Sequence, residues 1–209
     1  MIENIVRNNG FDYVDLYLPS GTLWSIMNIG ASSPYGPGLY FQWGDTQGYS
    51  VVNQEVGKGK RFNWYDYKFS VYGSSKKFSK YINTCDTLDM RDDAAHCNMR
   101  RNWHIPSPKQ IQELITNTTS KWIELDEIGV NGRIFISKKD ETRYIFIPAA
   151  GFAWNDGTLY CNGDSGYIWS SMIDTNYISY SQCFCFDSEG PYQFKTGRNT
   201  GLSIRGVIG

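Results

Sequence analysis

The chain has 209 residues, enough for one well-buried core. Its 20 basic and 21 acidic residues give a net charge of −1, so no basic field points to nucleic acid or an anionic membrane. Its 7 Trp, 15 Tyr, 11 Phe and 21 Gly describe a mostly β, loop-heavy protein, rich in the side chains that binding surfaces favour.

The N-terminal stretch MIENIVRNNGFDYVDL has neither a basic start nor an apolar run of signal-peptide length. No segment reaches the roughly 18 apolar residues of a membrane span. Neither a signal peptide nor membrane insertion is therefore expected. Residues 1–11 read as an N-terminal extension, and 12–209 as one α+β domain. Within it, FDYVDLYLPSGTLWSIMNIG alternates apolar and polar residues around Pro19-Ser20-Gly21, which predicts a hairpin with strands near 13–17 and 22–28. Residues 31–75, rich in Ser, Pro, Gly, Tyr and Trp, read as long ordered loops. Residues 91–99 suit a short helix with Asp92 and Asp93 near its start.

The next helix carries the clearest local signal. Ser107 is placed as N-cap, Pro108 at the first helical position, and Gln110 completes a Ser-x-x-Gln capping box. Ile111, Leu114 and Ile115 then form one apolar face. Asn131-Gly132 reads as a turn, 133–137 and 143–148 as strands, and Lys138–Glu141 as the loop between them. From Trp169 onward, short strands alternate with polar turns.

The five cysteines (Cys85, Cys97, Cys161, Cys183 and Cys185) are odd in number and irregular in spacing, which argues against a complete disulfide framework. They are expected to be reduced and mostly buried. Cys183 and Cys185 share one face of a strand but sit too far apart to bond readily. With two histidines and no Cys-x-x-Cys, a zinc site has little to work with.

Several phrases together resemble one family: YVDLYLPSGTLWSIMNIGASSP at 13–34, YFQWGDT at 40–46, DDAAHCNMRRNWHIPSPKQIQEL at 92–114, IFIPAAGF at 145–152, SGYIWSS at 165–171 and GRNTGLSIRGV at 197–207. In this order they are similar to the Fibrobacter succinogenes major paralogous (FISUMP) domain, a relative of the formylglycine-generating branch of the C-type lectin fold. The resemblance implies a C-type-lectin-like fold. Two short helices would flank a twisted, mainly antiparallel sheet with long ordered loops, and the N- and C-terminal strands would be paired. It implies no general enzymatic activity. Related domains occur on phage particles and as retroelement variable proteins, whose C-terminal stretch displays side chains to varied ligands. Two departures stand out: Arg100-Arg101-Asn102 replaces the usual Gly-Gly before the central Trp, and SIRGV replaces SVRPV. The missing export signal shifts the expectation from the bacterial cell surface to the virion surface.

The chemical alternatives are weaker. The formylglycine-type reaction needs soft thiolates on copper(I), and Cys183 and Cys185 form the one close pair. Small side chains packed against a neighbouring layer explain them better. His96 follows Asp92 and Asp93 at helix spacing, as a capping contact would. Trp154-Asn155-Asp156 has the letters of a calcium-lectin site. Calcium, however, takes six to eight oxygens, and the supporting Glu-Pro-Asn or Gln-Pro-Asp loop is missing, so Asn155-Asp156-Gly157 reads as a hairpin tip. No cofactor, metal or catalytic group is expected. Asp174, Asn176, Tyr177, Tyr192, Gln193, Lys195 and Asn199, with Trp154 and Asn155 nearby in the chain, combine broad aromatic area with adaptable hydrogen bonding. Arg198 and Arg205 are expected to brace the terminal strands. These features lead to the expectation of a recognition module for a glycan or protein receptor, as a homo-oligomer or docked on a larger assembly. The alternative is a structural decoration or fibre protein of a virion.

Overall fold

A computed structural model of the chain describes residues 6–8, 10–57, 59–100 and 102–209. Its strands are β1 (Val6–Asn8), β2 (Phe11–Asp15), β3 (Leu23–Ser25), β4 (Val51–Val52), β5 (Glu55–Val56), β6 (Thr118–Leu125), β7 (Val130–Ser137), β8 (Tyr144–Pro148), β9 (Ala150–Ala153), β10 (Leu159–Asn162), β11 (Gly166–Ile173), β12 (Tyr180–Phe186), β13 (Pro191–Gly197) and β14 (Val207–Ile208). A 3-10 turn (Met90–Asp92) leads into helix α1 (Ala94–Met99), and α2 spans Pro108–Asn117. The protein is mainly sheet with few helices.

The predicted hairpin forms as β2 and β3, with Tyr13 opposite Ser25, and closes through Gly21, whose N–H donates to the Leu18 carbonyl. β14 pairs with β3, so strands from both ends of the chain lie in one sheet of order β1-β2-β3-β14. The expected extension contributes β1 to that sheet, Val6 opposing Tyr13, while residues 1–5 and Asn9 lie outside the described residues.

α2 begins as its capping box dictates. The Ser107 hydroxyl accepts the Gln110 N–H, and the Gln110 side chain accepts the Ser107 N–H. Its buried Ile111 and Leu114 meet Phe135, Ile145 and Ile147 of the β6-β7-β8 sheet and Phe184 and Phe186 of β12. The turn ahead of β7 differs from expectation. It lies at Asp126–Gly129, where Gly129 takes φ +64°, and Asn131-Gly132 sits inside β7 instead. Gly132 is there for close packing, since a Cβ would stand 2.4 Å from the Ile147 carbonyl oxygen.

The third sheet, of order β10-β9-β11-β12-β13, is antiparallel except where β11 runs parallel to β9. Against it packs the long segment 31–89, in which β4 and β5 are the two short strands. Order in this segment comes from buried rings, among them Trp43, Tyr67, Phe69, Phe78 and Tyr81. At their centre is Arg198, fully buried. Its guanidinium donates to the Tyr67 hydroxyl (2.9 Å) and to the carbonyls of Tyr81 (3.1 Å), Ile178 (3.1 Å) and Lys80 (3.2 Å). It lies 4.3 Å from the Phe78 ring centre and 4.9 Å from that of Trp43. Burial lowers its pKa, while Tyr67 works in the other direction. Arg205, also fully buried, donates to Asn28 Oδ1 and the Ser25 carbonyl, and so braces the terminal sheet.

A second anchor holds the same segment. Asp92 accepts from Lys68 (2.8 Å), Lys80 (2.6 Å) and the Tyr81 hydroxyl (2.8 Å). Burial pushes its carboxyl up, but these three partners outweigh that and hold it at about 2.

Arg198→Leu strands three carbonyls among aromatic rings and is expected to cost about 3–5 kcal/mol, read as a lower urea midpoint. Because Asp92 titrates below its ordinary value of 3.8, its stabilisation is complete above that pH and is lost as the pH falls toward 2. Urea midpoints from pH 5 to 2 should therefore fall less steeply in Asp92→Asn than in the parent protein.

Candidate functional site

Asp174 is the first residue after β11, and its carboxylate closes the turn that follows. Oδ1 accepts the N–H groups of Asn176 and Tyr177, each at 3.0 Å, and the Lys195 ammonium at 3.2 Å. Lys195 belongs to β13, where it stands opposite Gln182 of β12. Its ammonium also lies 5.0 Å from the centre of the Tyr177 ring. One lysine thus staples the 174–177 turn to the strand beside it. Burial pushes Asp174 up, and the two N–H groups with Lys195 outweigh this, leaving its pKa lowered.

Two residues along β13, the Gln193 amide donates to the Pro108 carbonyl (3.2 Å) and to Gln112 Oε1 (3.0 Å). This ties the strand to the start of α2. Between the turn and the strand pair lies a solvent-open hollow of about 420 Å³, lined by Asp174, Asn176, Gln182, Gln193, Phe194 and Lys195 among others. Tyr177 and Phe194, 59% and 50% exposed, leave large aromatic faces in water close to it. The arrangement offers fixed amides, an ion pair and aromatic area, which suits recognition by contact.

Of the nine residues singled out in the sequence, Asp174, Asn176, Gln193 and Lys195 line this hollow, and Tyr177 stacks on Lys195. Tyr192 projects from the other face of β13, opposite Cys185 and edge-on to Phe194. Trp154 and Asn155 lie at the β9–β10 connection, on the far side of the sheet from β13. Asn199 is buried, and its amide is engaged by the Phe62 carbonyl (2.5 Å) and Asn155 Oδ1 (3.3 Å). It fastens loops together and presents nothing to a ligand. Gln182, Thr175 and Phe194 join the hollow without having been picked from the sequence. Gln182 comes beside Lys195 through the β12–β13 register, which has no local signal in the sequence.

Asn155-Asp156-Gly157 is the hairpin tip. The Gly157 N–H donates to the Trp154 carbonyl, Gly157 takes φ +89°, and Asp156 accepts the Thr158 N–H. That hydrogen bond, the largest influence on it, holds the exposed Asp156 carboxyl below its ordinary value. Among the described residues, no three of His, Cys, Asp and Glu gather closely enough to hold a metal ion. Likewise, no helix among them is long and apolar enough to cross a membrane.

The thiols depart from expectation: Cys85, Cys97 and Cys161 are exposed, and only Cys183 and Cys185 are buried. Cys85 takes a left-handed φ of +66° in a turn, and Cys161 one of +55° within β10. Burial pushes Cys185 up to about 11 and Cys183 well above its ordinary value, so both are protonated at neutral pH. Asp93 caps α1 by accepting the His96 N–H, and the ring nitrogens of His104 lie 3.0 Å from the carbonyl oxygens of Ile105 and Gly209. Arg101 lies outside the described residues.

Lys195→Met removes the ammonium and keeps the stem over Tyr177. Asp174 should then titrate higher, seen by carbon NMR of its carboxyl, and stability at pH 7 should fall by about 1 kcal/mol, since the lysine is partly solvated. The parent's advantage is present above pH 3.8, the ordinary carboxyl value, and disappears as the pH drops through the lowered one. The chain matches no protein-family model, no curated protein and no solved structure.

Proposed function

We propose that this chain is a non-enzymatic recognition module with a C-type-lectin-like fold of the FISUMP kind. It binds a surface glycan or protein receptor through the hollow formed by the 174–177 turn and strands β12 and β13. The observation that carries the reading is the convergence of Asp174, Asn176, Gln193 and Lys195 on that hollow, with Tyr177 alongside. Three of them are held by the fold before any ligand arrives: Asp174 by its own turn, Lys195 by Asp174, Gln193 by α2. Preorganised polar groups beside exposed rings lower the ordering cost of binding.

The pairing of β14 with β3, the ordered 31–89 segment and the two helices support the fold assignment. In this reading the protein faces outward from a virion, as one copy of a homo-oligomer or docked on a larger assembly, so that several weak sites act together. A decoration or fibre protein without a ligand of its own is the rival reading. The exposed Tyr192 and Phe194 on the sheet-edge strand β13 favour it, since such an edge suits packing against a neighbouring subunit.

The test uses the protein tetramerised on streptavidin, applied to a glycan array and to intact gut bacteria. Binding is expected, with a loss of about tenfold or more in the double variant Asn176→Ala/Gln193→Ala, equivalent to about 1.4 kcal/mol. No binding by the tetramer to either target would contradict the proposal.

A further inference from the structure

Four aromatic side chains stand in one row across the five-stranded sheet. Tyr160 of β10 opposes Phe152 of β9, Gly151 runs beside Gly166, Tyr167 of β11 opposes Cys185 of β12, and Cys185 opposes Tyr192 of β13. The Phe152 and Tyr167 rings meet edge to face at 5.2 Å. At the β10 end the row opens to water as a notch of about 300 Å³ lined by Phe152, Trp154 and Tyr160. The Phe152 and Tyr160 rings lie 23° from parallel, and the Trp154 indole stands across Phe152 at 83°. Trp154 and Tyr160 are 42% and 43% exposed.

The indole wall is set before any ligand arrives. Trp154 bonds Thr158 and Gly157 through its backbone, and Asn199 holds Asn155 next to it. The next residues of the same turn, Asn155 and Asp156, line a second hollow of about 440 Å³ together with Arg61 and Asn63. An apolar notch therefore adjoins a rim of amides with one cation and one anion.

A pyranose has that division of surface: a C–H face that stacks on aromatic rings and an edge of hydroxyls that both donate and accept. A purely aliphatic group would fill the notch and leave the polar rim without partners. A nucleic acid base would stack, but its phosphates need a positive field, and here Arg61 is offset by Asp156. An acidic sugar meets the same balance, so a neutral one fits best. We propose that the Phe152–Trp154–Tyr160 notch is a stacking site for one unit of a neutral polysaccharide, bound without calcium, its hydroxyls directed to Asn155, Asp156 and Arg61. This goes beyond the recognition reading and does not rest on the Asp174–Lys195 hollow. The row crosses four strand spacings, about 19 Å, between the two edges of the sheet.

The test is native electrophoresis of the full chain through gels containing xylan, galactomannan, mixed-linkage β-glucan or dextran, with EDTA present throughout. At least one polymer should retard the protein. Trp154→Ala and Tyr160→Ser should each weaken that retardation about tenfold or more, with Ile128→Ala, an exposed side chain on the β6–β7 turn, running as the parent. Circular dichroism checks that both notch variants fold, and Tyr160→Ser decides the matter if Trp154→Ala does not. Oligosaccharides of the retarding polymer should also shift the fluorescence of the parent and leave that of Trp154→Phe unchanged. The proposal is overturned if none of the four polymers retards the parent. It is also overturned if the folded notch variants bind as the parent does, or if retardation appears only when calcium replaces EDTA. Loss in Lys195→Met alone would overturn it too, and would assign binding to the other hollow.

Discussion

A guanidinium enclosed by aromatic rings and bonded to neutral oxygens is costly to bury, and it persists only where the surroundings are fully shaped to it. Arg198 meets that condition through Tyr67, three backbone carbonyls and the faces of Trp43 and Phe78. Those partners come from places far apart in the chain: Trp43, the 67–81 loops and the 174–180 turn. A segment with little regular secondary structure is thereby given one position. Asp92, drawing in Lys68, Lys80 and Tyr81, fixes the other side of it.

Both candidate binding places depend on that arrangement. Ile178, whose carbonyl Arg198 holds, follows directly on the turn that carries Asn176 and Tyr177. Asn199, the neighbour of Arg198, is bonded to Phe62 and Asn155 and so fixes the tip beside Trp154. Two short turns of one sheet, the one after β9 and the one after β11, are therefore held by consecutive residues. This is how a loop-rich protein keeps exposed rings in set positions without disulfides, its five described cysteines all being free.

The sequence made local chemistry legible and left long-range geometry hidden. Ser107, Pro108 and Gln110 announce α2 because capping acts within four residues. The Pro19–Gly21 turn and the tip at Asn155–Gly157 are readable for the same reason. Asn131-Gly132 misled because a glycine needed for close packing looks like one needed for a turn. Strand β6 opens with four consecutive polar residues, Thr118 to Lys121, and lacks an apolar run, so its pairing with β7 had little local signal. Asp174, Asn176, Gln193 and Lys195 share a composition that suits binding, but only the β12–β13 register brings them to one hollow. Asn199 has the same chemistry, and the chain folds it inward. The aromatic row needed the register of five strands and could not be read from spacing alone.

Buried Arg198 and Asp92 hold the 62–81 loops as firmly as regular structure would. Hydrogen exchange followed by mass spectrometry measures this directly, comparing peptides from 62–81 with those from β12 at pH 7. The carbonyl-linked and ring-packed stretch should exchange slowly, with protection approaching that of the strand. Exchange of 62–81 at the rate of an unstructured peptide, with β12 protected, would contradict it.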